Sequence, residues 1–276
     1  MRHSTGTFES VDGHPMFEQH WLPDGPARAD LVIVHGYAEH SGRYEHVGAY
    51  FAERGVAVRA YDLRGHGCSG GERVLVRSFD EHLEDLETFI AGVRDPDRPL
   101  FLLGHSMGGG IVALHAAERR PDVRGVLLSG AVLSRPGGLR GLIAGVLVLA
   151  GRAFPKWKLG KLDAATVSRD PAVVAKYDAD PLVYRDGMYA GTLSAMMRAV
   201  GRIRKRVARI DRPLLIMHGT ADALVSPDGS RWLYAHAGSR DKTLKLYDGL
   251  YHEILNEPEQ REVMGDIAAW MDARAG

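Results

Sequence analysis

Cysteine is nearly missing from this chain: Cys68 stands alone among 276 residues. A single thiol cannot close an intrachain disulfide, so packing must hold the fold, and a reducing, cytoplasmic setting is expected. Cys68 lies in a loop beside glycines with no base near it in sequence, and it reads as a small filler residue rather than a reactive thiol. Net charge is missing too, because 35 Lys and Arg offset 35 Asp and Glu. Such a chain projects no long-range field toward nucleic acid or an anionic membrane, and its substrate reads as uncharged or only locally recognised. The sequence opens without a basic segment followed by an apolar stretch, so no secretory leader is expected. Long apolar runs are scarce. The longest, residues 142–151 between Arg140 and Arg152, is about half of the roughly 20 residues that cross a bilayer, so it is expected at most to touch a lipid surface. No internal repeat or low-complexity tract occurs.

What is present is an alternation of short β-branched runs with longer helix-like segments, the pattern of parallel strands joined by crossover helices. The class is α/β, and a chain of this length routinely forms one such domain. Strands are expected over residues 30–35, 57–62, 100–104, 125–129, 213–218 and 243–247. Most are continuous apolar runs, as a sheet buried on both faces requires. Residues 6–11 and 16–21 read as an antiparallel hairpin turning at Asp12-Gly13. A first helix is expected over 44–54, stopped by Gly55, and a closing helix over 258–274. The alternation breaks between Ala131 and Arg209, a stretch far longer than one crossover needs. The expected organisation is therefore a core of residues 1–130 and 210–276 carrying an inserted helical cap, 131–209.

The chemistry concentrates in Gly104-His105-Ser106-Met107-Gly108, which follows the apolar run 100–103 and precedes a helix-compatible stretch, 109–119. G-x-S-x-G between strand and helix is the nucleophile elbow of the α/β-hydrolase fold. The sharp turn leaves no room for side chains at the flanking positions, strains the serine backbone and aims its Oγ out of the sheet edge. Ser106 is thus the candidate nucleophile. It needs a base, and thirteen histidines are available. In this fold the chain order is Ser, acid, His, with acid and base on loops at the carboxyl ends of later strands. His252, just past the last expected strand, is best placed; His236 is expected in a surface helix and His218 at a strand end. Asp222, directly after the preceding strand, is the candidate acid, with Asp228 as rival and Asp211 at the wrong end of the strand. The developing oxyanion needs N–H donors, for which the backbone amides of Met107 and Tyr37 are the candidates.

The segment His35-Gly36-Tyr37-Ala38-Glu39-His40-Ser41-Gly42-Arg43-Tyr44 resembles the H-G-x-x-E-H-S-x-R-Y segment of monoacylglycerol lipases. Gly65-His66-Gly67-Cys68-Ser69-Gly70-Gly71-Glu72-Arg73 is similar to their G-H-G-x-S-x-G-x-R run. With the elbow and the contexts of Asp222 and His252, the likeness spans nearly the whole chain and is closest to the bacterial members. It implies an α/β-hydrolase with a mostly parallel sheet of about eight strands and a helical cap over the active site. It implies hydrolysis of one fatty acyl ester of glycerol, without metal or organic cofactor, on a small lipid taken from a membrane or micelle touched by the cap. Glu39 and Arg43 match the family's polar residues near the glycerol head. Read from the residues alone, an acid and a base four apart are more often a salt bridge that shapes the loop. The apolar cap run would serve an acyl tunnel or ordinary core packing. A carboxylesterase or lysophospholipase shares the same elbow and triad. Fold relatives that use an aspartate nucleophile are disfavoured by Ser106, and a silent acyl-binding module is disfavoured because all three triad positions are filled.

Overall fold

The computed structural model describes residues 1–134 and 141–275, with backbone alone for 141–144. Arg140 and the side chains of 142–144, at the start of the apolar run, lie outside the described residues. In chain order the elements are β1 (Arg2–Glu9), β2 (Pro15–Leu22), β3 (Ala29–Val34), α1 (Glu45–Ala52), β4 (Val56–Tyr61), α2 (Phe79–Val93), β5 (Leu100–His105), α3 (Ser106–Glu118) and β6 (Gly125–Ser129). They continue with α4 (Gly141–Ala153), α5 (Pro171–Ala179), α6 (Ala190–Arg206), β7 (Leu214–Gly219), α7 (Asp228–His236), β8 (Lys242–Tyr247) and α8 (Gln260–Ala275).

The strands form one eight-stranded sheet in the order β1-β2-β4-β3-β5-β6-β7-β8, in which only β2 runs against its neighbours. Successive residues of a strand face opposite sides, so β5 feeds both layers: Leu100 and Leu102 join one apolar cluster, Phe101 and Leu103 the other. That double burial is why the central strands read as unbroken apolar runs. Strand order reverses between β3 and β5, where β4 lies on one side of β3 and β5 on the other. A crevice opens at the carboxyl ends of strands at such a switch point. Here those ends lead into His35-Gly36-Tyr37 and into Ser106.

Several expectations are corrected. The amino-terminal hairpin turns about Asp12-Gly13 as expected, but it closes at Glu9 opposite Pro15, so residues 10–14 form its turn in place of 12–15. Only Gly13 has a positive φ, 82°, whereas a tight two-residue turn of the favoured type needs two such residues. Asp12 is drawn instead onto Arg64, at 2.7 and 2.9 Å. The expected first helix is present as α1, followed by Gly55 at φ 77°, but it is shorter than expected and is preceded by a 3-10 turn, Ser41–Tyr44. Cys68 is exposed and so fills no space, because its loop wraps Asp62 through the Cys68 backbone N–H at 2.8 Å. In the apolar run Val146, Leu147 and Leu149 are exposed on α4, neither packed in the core nor lining a tunnel.

Residues between β6 and β7 carry α4, α5 and α6. The inner face of α6, with Ala195, Met196, Ala199 and Ile203, shares the apolar cluster of α3, so this segment is cored on the sheet layer beneath it.

The turn from β5 into α3 is the tightest point of the fold. A Cβ on Gly104 would lie 2.5 Å from the Gly108 carbonyl oxygen, and one on Gly108 would lie 2.2 Å from that of Val34. Both obstacles are backbone and cannot swing away. Gly108→Ala is expected to cost on the order of 3 kcal/mol, a fall in Tm of about 6–12 °C by thermal denaturation. Gly92→Ala, in open space on α2, is the control and should hold or raise Tm.

Candidate active site

Ser106 is the first residue of α3 and has φ 52°, a left-handed conformation that costs a non-glycine residue about 1–3 kcal/mol. The strain is imposed from both sides, by the glycine-walled turn and by the Ser106 carbonyl, which accepts from the Val132 N–H at 3.0 Å. Gly36 presses on the serine from the loop after β3: a Cβ there would lie 3.1 Å from Ser106 Cβ. Ser106 thus borders a cavity of about 730 Å³ with two kinds of lining. Tyr37, Glu39, His105, Asp222, His252 and Glu253 bring polar groups to it, and Leu159, Leu162, Met188, Leu193, Met196 and Val200 bring apolar ones.

His252 Nδ1 lies 2.7 Å from Asp222 Oδ2. An ionised carboxylate only accepts, so the proton is on Nδ1 and Nε2 is left with its lone pair. Gly130, at φ 52°, backs the ring, since a Cβ there would lie 3.3 Å from its Cε1. Asp222 is saturated: Oδ1 accepts from the Leu224 and Val225 N–H groups at 2.8 and 2.9 Å, and Oδ2 accepts from His218 Nε2 at 3.0 Å besides His252. Burial pushes the Asp222 carboxyl up, but the hydrogen bonds from His218 and His252 outweigh it and hold the pKa well below the usual carboxylate range. Burial works to lower the His252 pKa, yet the bond to Asp222 and the charges of Asp222, Glu253 and Glu39 raise it above the ordinary value. The neighbouring His105 ring, 4.8 Å away between centroids, is driven down to about 4 by burial and by His252, and stays neutral.

Of the rival residues, only Asp211 and His236 are absent from both the cavity lining and the contacts of Asp222. Asp211 is exposed and paired with Arg120, Asp228 begins α7 at the rim of the cavity, and His236 is exposed on α7, stacked on Trp232. His218 is buried behind Asp222, with Nδ1 2.7 Å from Ser230 Oγ.

Met107 is the second residue of α3, whose first-turn N–H groups have no partner within the helix. Tyr37 follows Gly36 on the facing loop. That loop is braced by Glu39, whose Oε1 accepts from the Gly36 N–H at 2.6 Å and from Tyr44 OH at 2.9 Å. Arg43 donates to Glu39 at 2.8 Å and, through both Nη atoms, to Glu253 at 2.6 Å each. The Glu39–Arg43 pair is therefore the expected salt bridge, extended by Glu253; Glu39 lines the cavity while Arg43 is turned to its carboxylates. Burial favours a neutral Glu253, but Arg43 overrides it and sets its pKa to about 2. Glu253, and the bond that His218 makes to Asp222, are not foreseen in the sequence. The sole signal for Glu253 was adjacency to His252, because its partner Arg43 is 210 residues away.

The segment between β6 and β7 is tied to both loops. His40 Nε2 meets Asp180 Oδ2 at 2.8 Å, the Tyr184 N–H donates to the Ala38 carbonyl at 2.9 Å, and the Glu253 N–H donates to that of Val167 at 2.8 Å.

A family model described as serine aminopeptidase, S33, matches residues 25–259. The monoacylglycerol lipase of Mycolicibacterium smegmatis is 41% identical over 97% of this chain and 96% of its own length. The human monoglyceride lipase is 37% identical over 96% of this chain and 89% of its own. Among solved structures, the monoacylglycerol lipase of Paleococcus ferrophilus superposes with a TM-score of 0.82 at 30% identity, covering 99% of this chain and all of that one.

Proposed function

Since the chain belongs to the monoacylglycerol lipase family of α/β-hydrolases, we propose that it cleaves monoacylglycerol to fatty acid and glycerol through Ser106, His252 and Asp222. The observation that carries this reading is one cavity lined both by the Ser106, His252 and Asp222 side chains and by a set of apolar ones. The first set supplies a serine, an imidazole bonded to a carboxylate and free at its other nitrogen, and the second offers an acyl tail shelter from water. Ser106 Oγ attacks the ester carbonyl as His252 Nε2 takes its proton. The Tyr37 and Met107 N–H groups hold the oxyanion, each contributing on the order of a hundredfold to a thousandfold in turnover. His252 then protonates the departing glycerol oxygen, and a water repeats the sequence on the acyl-enzyme. Asp222 keeps the imidazole in the required tautomer and stabilises the imidazolium.

Residues 131–209 act as a cap in this reading. They supply most of the apolar lining, from Leu159 to Val200, and meet the membrane or micelle from which substrate leaves. Among the described residues no helix is long and apolar enough to cross a membrane. Glu39 and Arg43 serve by holding the Tyr37 loop in place, with Glu39 facing the glycerol head.

The test is a hydrolysis panel of monoacylglycerols of increasing chain length, diacylglycerol, lysophospholipid and simple esters. Burial of each methylene is worth about 0.8 kcal/mol, so kcat/KM on monoacylglycerol should climb up to about fourfold per added methylene until the cavity is full. A flat chain-length series, or turnover confined to simple esters, would replace the lipase with a general carboxylesterase.

A further inference from the structure

Three arginines meet where α4 crosses α6. The helices approach closely because the crossing is lined by small residues. A Cβ on Gly151 would lie 2.3 Å from the Ala190 carbonyl oxygen, and one on Gly191 would lie 2.9 Å from Pro155. At the outer edge of this crossing is a cleft of about 370 Å³, lined by Arg77, Gly151, Arg152, Pro155, Gly191 and Arg198. It lies on the far side of α6 from the catalytic cavity and shares none of its lining residues.

Among the described residues no carboxylate lines the cleft. Arg198 is held by neutral groups, donating to Ser194 Oγ at 2.8 Å and to the Arg77 carbonyl at 2.5 Å. Arg77 reaches an exposed carboxylate, Glu72 at 3.3 Å, which also pairs with Lys156. Among the described residues neither Arg152 nor Arg198 has a carboxylate within ion-pair distance, while the next arginine along α6, Arg202, is paired with both Asp80 and Glu118. Burial and the guanidiniums of Arg152 and Arg202 push Arg198 below the ordinary arginine value, against the pull of Asp80. Two of the three charges, on Arg152 and Arg198, thus lack a paired carboxylate among the described residues, and a planar guanidinium is the side chain best matched to the oxygens of a phosphate.

The surroundings identify the kind of phosphate. Val146 and Leu149 on α4 are 55% and 64% exposed, and Phe154 and Trp157 just beyond it 63% and 66%. Residues 141–162 contain Arg152, Lys156, Lys158 and Lys161 and no Asp or Glu. Exposed aromatic and aliphatic side chains interleaved with cations are the composition of a segment that lies in a membrane interface. The zero net charge of the whole chain does not oppose this, since attraction to an anionic surface acts within a Debye length of it.

We propose that the arginine cleft between α4 and α6 binds the phosphate headgroup of an anionic phospholipid in a bilayer, seating this face on the membrane with Leu149, Phe154 and Trp157 in the interface. The proposal rests on the lipid-hydrolase reading for its purpose, but its test reads binding in the absence of substrate, so a failure of that reading would not alter the result. The protein is sedimented with phosphatidylcholine vesicles and with vesicles containing phosphatidylglycerol, as wild type and as Arg77→Gln, Arg152→Gln and the double variant. The wild type should prefer the anionic vesicles, and each substitution should weaken that binding about fivefold, the value of one basic residue near a charged surface. Turnover of a water-soluble ester should stay at the wild-type level in all variants, which also reports that they are folded. Equal binding to both vesicle types, equal binding by wild type and double variant, or loss of soluble-ester turnover with the fold intact would each overturn the proposal. A rise in Tm with inorganic phosphate alone, lost in the double variant and unaccompanied by any vesicle preference, would assign the cleft to a free anion and overturn it as well.

Discussion

Ser106→Ala is expected to lower kcat on ester substrates by on the order of a millionfold while leaving the fold unchanged. The substitution removes one oxygen and keeps the Cβ, so the crowded contact with Gly36 and the φ of 52° are the same for both residues. Circular dichroism and Tm should therefore match the wild type, and the loss is chemical. Residual hydrolysis should still exceed the uncatalysed rate by about a thousandfold or more, because the Tyr37 and Met107 N–H groups remain in place to polarise the ester carbonyl. His252→Ala should cost nearly as much alone and almost nothing further when added to Ser106→Ala, since a base without a nucleophile has no proton to take. A folded Ser106→Ala protein with near wild-type turnover would remove the serine mechanism altogether. Inactivation by His236→Ala in place of His252→Ala would move the base to a different loop.

The elbow could be read from sequence because its constraints are local. Gly104, Ser106 and Gly108 are forced by contacts within one turn and with the adjacent β3, whose carbonyls leave no space for a Cβ. Asp222 and His252 could be named from chain order alone, but their saturation could not. The second imidazole on Asp222 comes from His218, a residue that looks in sequence like the ordinary end of a buried strand. Glu253 was invisible for another reason: an Arg–Glu pair separated by 210 positions leaves no periodic trace. The lining of the cavity was not legible, because apolar composition reports a preference for leaving water, not the neighbour that will supply the shelter. In the most apolar run, on α4, Val146, Leu147 and Leu149 are exposed, whereas the cavity is lined by Met196, Met197 and Val200 of α6, a helix that also carries Arg198, Arg202, Arg204 and Arg206. The hairpin around Asp12-Gly13 was legible, but the ion pair of Asp12 with Arg64 is a tertiary contact, which no local rule contains.

Asp222→Asn should lower kcat by about 10⁴-fold, more than the loss of one hydrogen bond explains, because it inverts the imidazole. The Leu224 and Val225 N–H groups fix the side chain through one oxygen, and asparagine can keep those bonds only by turning its amide NH₂ toward His252. Two donors then face each other at the present 2.7 Å separation. The ring escapes by moving its proton to Nε2, the nitrogen that must be empty to accept from Ser106. His218 loses the same acceptor but retains the Val225 carbonyl at 3.0 Å, so its cost is in position and not in chemistry. The pH profile separates this account from simple misfolding. In the wild type, kcat/KM should fall as pH drops through the His252 pKa, which lies above the ordinary histidine value because Asp222, Glu253 and Glu39 outweigh burial. Removing the Asp222 charge leaves burial to act against the weaker pull of the two glutamates, so the acid limb of the residual activity should shift to lower pH. Asp222→Asn protein that keeps a tenth or more of wild-type kcat, or whose acid limb stays where it was, would show that the carboxylate neither sets the tautomer nor tunes the base.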